Sequence, residues 1–156
     1  PRDNIALRWM SENLDLGYDL FDAIMAAREV QAKNLAKALV QPGLPVVIIG
    51  KAYKPHVAYE AGSYSILVGH YVKDLGGTVY YEDDYTEDHP PDNLGPCTYL
   101  LGHDPETTFL GCLDPDPDKR GPSIFHQDSI IVDPWRKCPD IPGCTVVHYG
   151  NTRIKK

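Results

Sequence analysis

The sequence predicts an α/β fold in which a mainly parallel sheet, flanked by helices, follows a long helical segment. Three observations predict it. Residues 3–40 carry apolar side chains at helical spacing with few breakers. Val46-Val47-Ile48-Ile49 is an unbroken apolar run between Pro45 and Gly50, the pattern of a strand buried on both faces. Beyond it, short β-rich runs recur at crossover-length intervals, which implies parallel pairing.

Asp3 or Asn4 is placed to cap a first helix carrying Leu7, Met10 and Leu14, and Gly17 interrupts it. Asp19 is placed to cap a longer helix. Leu20, Ile24, Ala27, Leu35 and Ala38 run along one side of it, and Phe21, Met25, Ala32 and Leu39 along another. Two stripes exceed the roughly 100° arc that one partner surface buries. This is either a core helix with a wide face or one that also packs against a second subunit or a further domain. Gln41-Pro42-Gly43 breaks the pattern, which divides the chain into a helical segment, residues 1–41, and an α/β domain, residues 42–156.

In that domain Val46–Ile49 is the first strand. Residues 63–75 form a helix through Ile66, Leu67, Tyr71 and Leu75, with Ser63 as its cap and Gly76-Gly77 as its stop. Residues 78–81, 97–101 and 129–132 are further strands, and Thr145–His148 is a fifth. The stretches 82–96 and 102–128 are rich in Pro, Asp and Gly. The first reads as an irregular surface loop, the second as a connection with short helical turns. Strands alternating with crossovers give a Rossmann-like arrangement.

Composition excludes several classes. A net charge of −7 argues against nucleic-acid binding, which needs clustered positive charge. No apolar stretch approaches the roughly 20 residues that span a bilayer, and the polar N-terminus is no secretory signal. Cys97, Cys112, Cys138 and Cys144 show neither C-x-x-C spacing nor a disulfide framework, so a reduced, cytoplasmic protein is expected. The first residue is Pro1 rather than Met, and we expect a processed or excised piece.

Open α/β sheets bind ligands at the carboxyl ends of their strands. Tyr53 and Lys54 lie just beyond the first strand and offer a flat stacking face and a mobile cation, a pairing suited to a nucleotide. Neither G-x-x-x-x-G-K-[ST] nor G-x-G-x-x-G is present. Glu82, Asp83, Asp84, Glu87 and Asp88, with His89, lack metal-ligand spacing and read as a solvated loop. Asp114, Asp116 and Asp118 lack the glycine and terminal glutamate of a calcium loop, so no metal is expected. Arg136, in Asp133-Pro134-Trp135-Arg136, follows an apolar strand. It can fork onto phosphate or ribose oxygens, or pair with a surface carboxylate.

Gly50-Lys51-Ala52-Tyr53-Lys54-Pro55 resembles the G-x-A-[FY]-K signature that opens the C-terminal domain of the UDP-glucose/GDP-mannose dehydrogenase family. Pro1-Arg2-Asp3-Asn4-Ile5-Ala6-Leu7 resembles the P-[KR]-D-x-x-A-L segment after that family's catalytic cysteine. Residues 4–40 resemble its central dimerisation region, and Ile131-Val132-Asp133 through Arg136 its late D-x-x-R element. The four elements follow the family order across most of the chain.

The resemblance implies a central dimerisation segment joined to a UDP-binding domain. Family members oxidise the C6 alcohol of a nucleotide sugar to a carboxylate by two hydride transfers to NAD, through a thiohemiacetal and a thioester on cysteine. Asp3 matches the acidic residue that helps position and activate water. Tyr53 and Lys54 match residues lining the nucleotide-sugar site, and Arg136 an arginine that contacts the nucleotide. A UDP-sugar is the implied ligand and a homodimer through the N-terminal helices the implied assembly. The nucleophilic cysteine would precede Pro1 by two positions and an N-terminal domain would hold NAD, so this chain alone is expected to be inert and to bind no cofactor. After Lys54-Pro55 the family's T-x-D-x-R-E-S gives way to Val57-Ala58-Tyr59-Glu60-Ala61-Gly62-Ser63, with only Ser63 retained. The sugar nucleotide is therefore open among UDP-glucose, GDP-mannose and UDP-N-acetylhexosamine. The competing functional reading is a stand-alone nucleotide-sugar-binding or oligomerisation module without redox activity.

Overall fold

The computed structural model describes residues 2–105 and 125–150. The first helix, α1 (Arg2–Asn13), already includes Asp3 in its first turn. Asp3 is thus not the cap; it lies beside the positive helix end, where a carboxylate is favourable. Gly17, at φ 70°, turns the chain into α2 (Leu20–Val40). Asp19 caps α2 as expected, its carboxylate accepting the Asp22 N–H at 2.7 Å. Then follow β1 (Val46–Ile49), α3 (Tyr64–Asp74), β2 (Val79–Glu82), β3 (Thr98–Leu101), β4 (Ile130–Asp133) and β5 (Thr145–His148). Ser63 caps α3 by accepting the Ile66 N–H. β2 and β4 each start and end one residue later than the sequence predicts. The 102–128 expectation of helical turns, and the readings of Cys112, Asp114, Asp116 and Asp118, fall mainly or wholly outside the described residues.

All neighbouring strands pair in parallel, in the order β2-β1-β3-β4-β5. The chain leaves β1 through α3 to β2 on one side, then returns to β3 on the other. This reversal parts the strand-tip connections between β1 and β3, where ligands bind in sheets of this kind. The architecture is a Rossmann-like α/β fold.

Strand alternation sorts the core into two layers. Val46, Ile48, Leu100 and Val132 face α2 and α3, packing with Leu35, Leu39, Val68 and Val72. Val47, Ile49, Tyr99, Leu101 and Ile131 face the other way, against Phe125 and Cys138, with Leu94 and Ile141 alongside. Burial on both faces is why β1 reads as a continuous apolar run. Each large aliphatic side chain removed from water here contributes about 1.5–3 kcal/mol.

Only the C-terminal half of α2 joins this core. Ala32 and Leu39 from one stripe, and Leu35 from the other, are buried together with Ala36. Leu20 and Ile24 stay exposed, as do Ile5 and Trp9 on α1 and Leu14 just beyond it. Arg8 ties the two helices together, its guanidinium 3.0 Å from Asp22. The helix pair thus carries several exposed apolar side chains among its charged ones. No helix among the described residues is long and apolar enough to cross a membrane.

Candidate functional site

At the tip of β1 the backbone is held by an acid from the β2–β3 loop. Asp83, 8% exposed, accepts the N–H groups of Lys51 at 2.8 Å and Ala52 at 2.9 Å, and that of Tyr85 at 3.0 Å. Gly50, at φ 94°, is required here because a Cβ would lie 2.4 Å from the His103 ring. The Lys51 ammonium reaches Asp88 at 2.8 Å and Glu60 at 2.9 Å. Its hydrogen bond to Asp88 raises the Lys51 pKa, against the opposing effect of burial. Burial disfavours the Asp88 carboxylate, but hydrogen bonds from Lys51 and Thr86 overcome this and hold its pKa below the ordinary value. The expectation of a merely solvated acidic loop is corrected accordingly: Asp83 and Asp88 are built into the strand tip, while Asp84 and Glu87 are exposed. Partners 31 to 37 residues away left no local signal.

Glu82, Asp84 and His89 place one ligand atom each within 4.8 Å of the others. The His89 imidazole lies 3.0 Å from the Glu82 carboxylate, and that hydrogen bond raises its pKa. This contact accounts for the closeness of Glu82 and His89.

Tyr53 and Lys54 project from a loop closed by the Tyr53 N–H donating to the Tyr59 carbonyl at 2.7 Å. Both side chains are exposed and line a cavity of ≈ 510 Å³, together with Val57, Tyr59 and Ile5. Ile5 brings α1 to the cavity edge. Asp3 is exposed two residues earlier and, because positions i and i+2 do not share a helix face, projects from another side of that turn.

Arg136 lies beyond β4, two strands across from β1. Its backbone is at φ 60°, and its guanidinium donates to the Gly150 carbonyl at 2.8 Å. Among the described residues it therefore bonds a backbone oxygen rather than the surface carboxylate that the sequence left open. Fully buried Asp133 shapes this turn by accepting the N–H groups of Trp135, Lys137 and Cys138 at 2.8 to 2.9 Å. His148 Nδ1 lies 3.1 Å from the same carboxylate. The structure thus brings Tyr53 and Lys54 together and sets Arg136 apart.

Next to Arg136 is a second cavity of ≈ 460 Å³ that sequence reasoning missed. It lies between α2, α3 and the tips of β3, β4 and β5, with Trp135 held in its wall by an indole N–H bond to the Leu101 carbonyl at 2.9 Å. Five separate elements build it, so no contiguous motif could reveal it. Segment 62–65 divides the two cavities, because Gly62 lines the first and Tyr64 and Ser65 the second. Arg28 braces this wall, donating to the Gly62 carbonyl at 3.1 Å and lying 5.6 Å over the Tyr64 ring.

The described thiols are poorly suited to nucleophilic work. Burial pushes Cys138 up to about 11 and also raises Cys97 and Cys144, so all three remain protonated at neutral pH.

No family model matches this sequence, and no curated protein does. Among solved structures, the chain is similar to GDP-mannose dehydrogenase from Pseudomonas aeruginosa, determined as a ternary complex, with a TM-score of 0.63 and 13% identity. The match covers 94% of this chain and 38% of that one, so the chain spans well under half the length of the enzyme it resembles. At that identity the likeness establishes the fold alone: this chain shares its α/β architecture with part of that enzyme.

Proposed function

We propose that this chain is the substrate-holding part of a nucleotide-sugar dehydrogenase and binds a nucleotide sugar, with UDP-glucose as the first candidate. The observation that carries the reading is the cavity in which Tyr53 and Lys54 stand side by side beyond β1, in a fold shared with such an enzyme. In this reading Tyr53 stacks on a ring of the ligand and Lys54 neutralises its diphosphate. Arg136 gives up its carbonyl partner for a phosphate or ribose oxygen, and Asp3 positions water. Each charge-assisted bond contributes about 1.5–3 kcal/mol.

NAD does not fit the β1 tip. The backbone donors that could cradle a pyrophosphate there, those of Lys51 and Ala52, already bond the Asp83 carboxylate. We therefore assign NAD to another domain of the same enzyme and no redox step to these residues. The exposed apolar side chains of α1 and α2 support a homodimer in the same reading, with residues 1–41 as the dimerising segment and 42–156 as the UDP-binding domain. A binding module without redox activity uses the same cavity, and only the chemistry of a partner domain separates the two.

The test is calorimetric titration of UDP-glucose and GDP-mannose into the chain and into Lys54→Ala and Arg136→Ala. We expect each variant to weaken the preferred ligand by roughly tenfold, about 1.4 kcal/mol. Equal affinity in all three proteins would remove both residues from the site.

A further inference from the structure

We propose that the second cavity is a nucleobase pocket, with Arg28 holding the attached phosphate. This deepens the nucleotide-sugar reading and rests on it for the class of ligand. The pocket itself follows from four features of its walls.

Its volume of ≈ 460 Å³ and mostly apolar lining match small-molecule sites that fix orientation with a few polar groups. Its aromatic groups are Tyr64, Trp135 and Tyr149, and the Trp135 ring is locked through its N–H to Leu101. Such walls favour a flat ring. Its floor is bare backbone at Gly102, where a Cβ would lie 2.4 Å from Ser65 Oγ and 2.7 Å from the Gly50 carbonyl.

The polar groups are those that read the edge of a ring. Ser65 is only 4% exposed and lines the cavity, where its hydroxyl offers a donor and an acceptor. Gln31 and Asn34, one turn apart on α2, present amides that each offer a donor and an acceptor. Mixed donors and acceptors beside a mostly apolar, aromatic lining suit a heteroaromatic base.

Charge supplies the last part. Arg28 stands one turn before Gln31, half-buried, and donates to the carbonyls of Gly62 and Ser63 while lying over the Tyr64 ring. No carboxylate among the described residues pairs with it. In a chain of net charge −7, that is an unspent cation. It sits beside the N-terminal end of α3, whose dipole also favours an anion. A base in the pocket with its phosphate at Arg28 directs the rest of a nucleotide sugar over segment 62–65 toward Lys54.

The experiment uses the chain's own fluorescence. It has two tryptophans, and Trp9→Phe, at an exposed position, leaves Trp135 as the sole reporter. UMP, GMP, uridine and inorganic phosphate are titrated separately. We expect saturable quenching by at least one of the nucleotides and none by phosphate alone. Arg28→Gln should weaken nucleotide binding about tenfold while sparing uridine, and Asn34→Leu should weaken both about tenfold. No saturable quenching by either nucleotide, or quenching unchanged in both variants, overturns the proposal. Silence at Trp135 alongside Lys54-dependent calorimetric binding of UDP-glucose removes this pocket and keeps the broader reading. Quenching by UMP that Arg28→Gln weakens, without any Lys54 dependence of UDP-glucose binding, keeps the pocket and removes that reading.

Discussion

Ala52 donates its backbone N–H to the Asp83 carboxylate across 2.9 Å, and so joins the tip of β1 to the loop beyond β2. The protein's own anion thus occupies the position where many sheets of this class receive a phosphate. The missing glycine fingerprint then has a structural counterpart, since the tip of β1 is closed by a side chain and the exposed Lys54 stands further out.

Loss of the Asp83 carboxylate should loosen this tip. Asp83→Ala leaves two N–H groups of the Lys51–Ala52 turn without an acceptor, and we expect a loss of about 2–3 kcal/mol in stability. Urea unfolding of the variant measures it. A midpoint equal to that of the wild type would show that the acid does not hold the turn.

The Lys51–Asp88 pair should stabilise the fold within a bounded pH range. Asp88 has a lowered pKa, so its contribution is present above the ordinary carboxylate range and is lost as pH falls through the lowered value. Lys51 has a raised pKa, so its contribution is present below the ordinary lysine value and is lost as pH rises through the raised one. In Asp88→Asn the acid-side loss of stability should be shallower than in the wild type. Parallel stability curves across the acid range would count against the pair.

The described thiols should be unreactive in the folded chain. In a Cys112→Ser background, a disulfide reagent at neutral pH should label Cys97, Cys138 and Cys144 slowly, and quickly once denaturant is added. Their raised pKa values set this order, with Cys138 at about 11, and Cys97 and Cys138 are buried while Cys144 is partly so. Rapid labelling of a native thiol would contradict the burial that causes those shifts.

Arg136 holds a left-handed backbone conformation that costs a non-glycine residue about 1 kcal/mol or more. Arg136→Gly should therefore unfold no earlier than Arg136→Ala and with a higher midpoint, while both bind nucleotide sugar more weakly. If glycine is the less stable of the two in thermal unfolding, the strain does not govern this turn.

The outer face of α1 and α2 should mediate self-association. Sedimentation of the wild type at high concentration should show a dimer, and Trp9→Glu with Leu14→Glu should shift it to monomer. A wild-type chain that stays monomeric would take the dimer out of the account.

Much of the fold was legible because local chemistry determines it. Asp19 and Ser63 cap their helices with their own side chains, and the run Val46–Ile49 is apolar because both faces of β1 are buried. Asp3 was misplaced as a candidate cap because a helix start is set within a residue or two by weak local terms. At the site, Tyr53 and Lys54 were visible because they follow a strand directly. Asp83, Arg28 and Ser65 were not, since their meaning depends on elements brought together only by the fold.

The most direct test of the central claim is a backbone-amide NMR titration of the chain with UDP-glucose. The account predicts saturable shifts in the loop carrying Tyr53 and Lys54, in segment 62–65 and at Trp135 and Arg136. Shifts confined to other surfaces, or no saturable change at all, would contradict it.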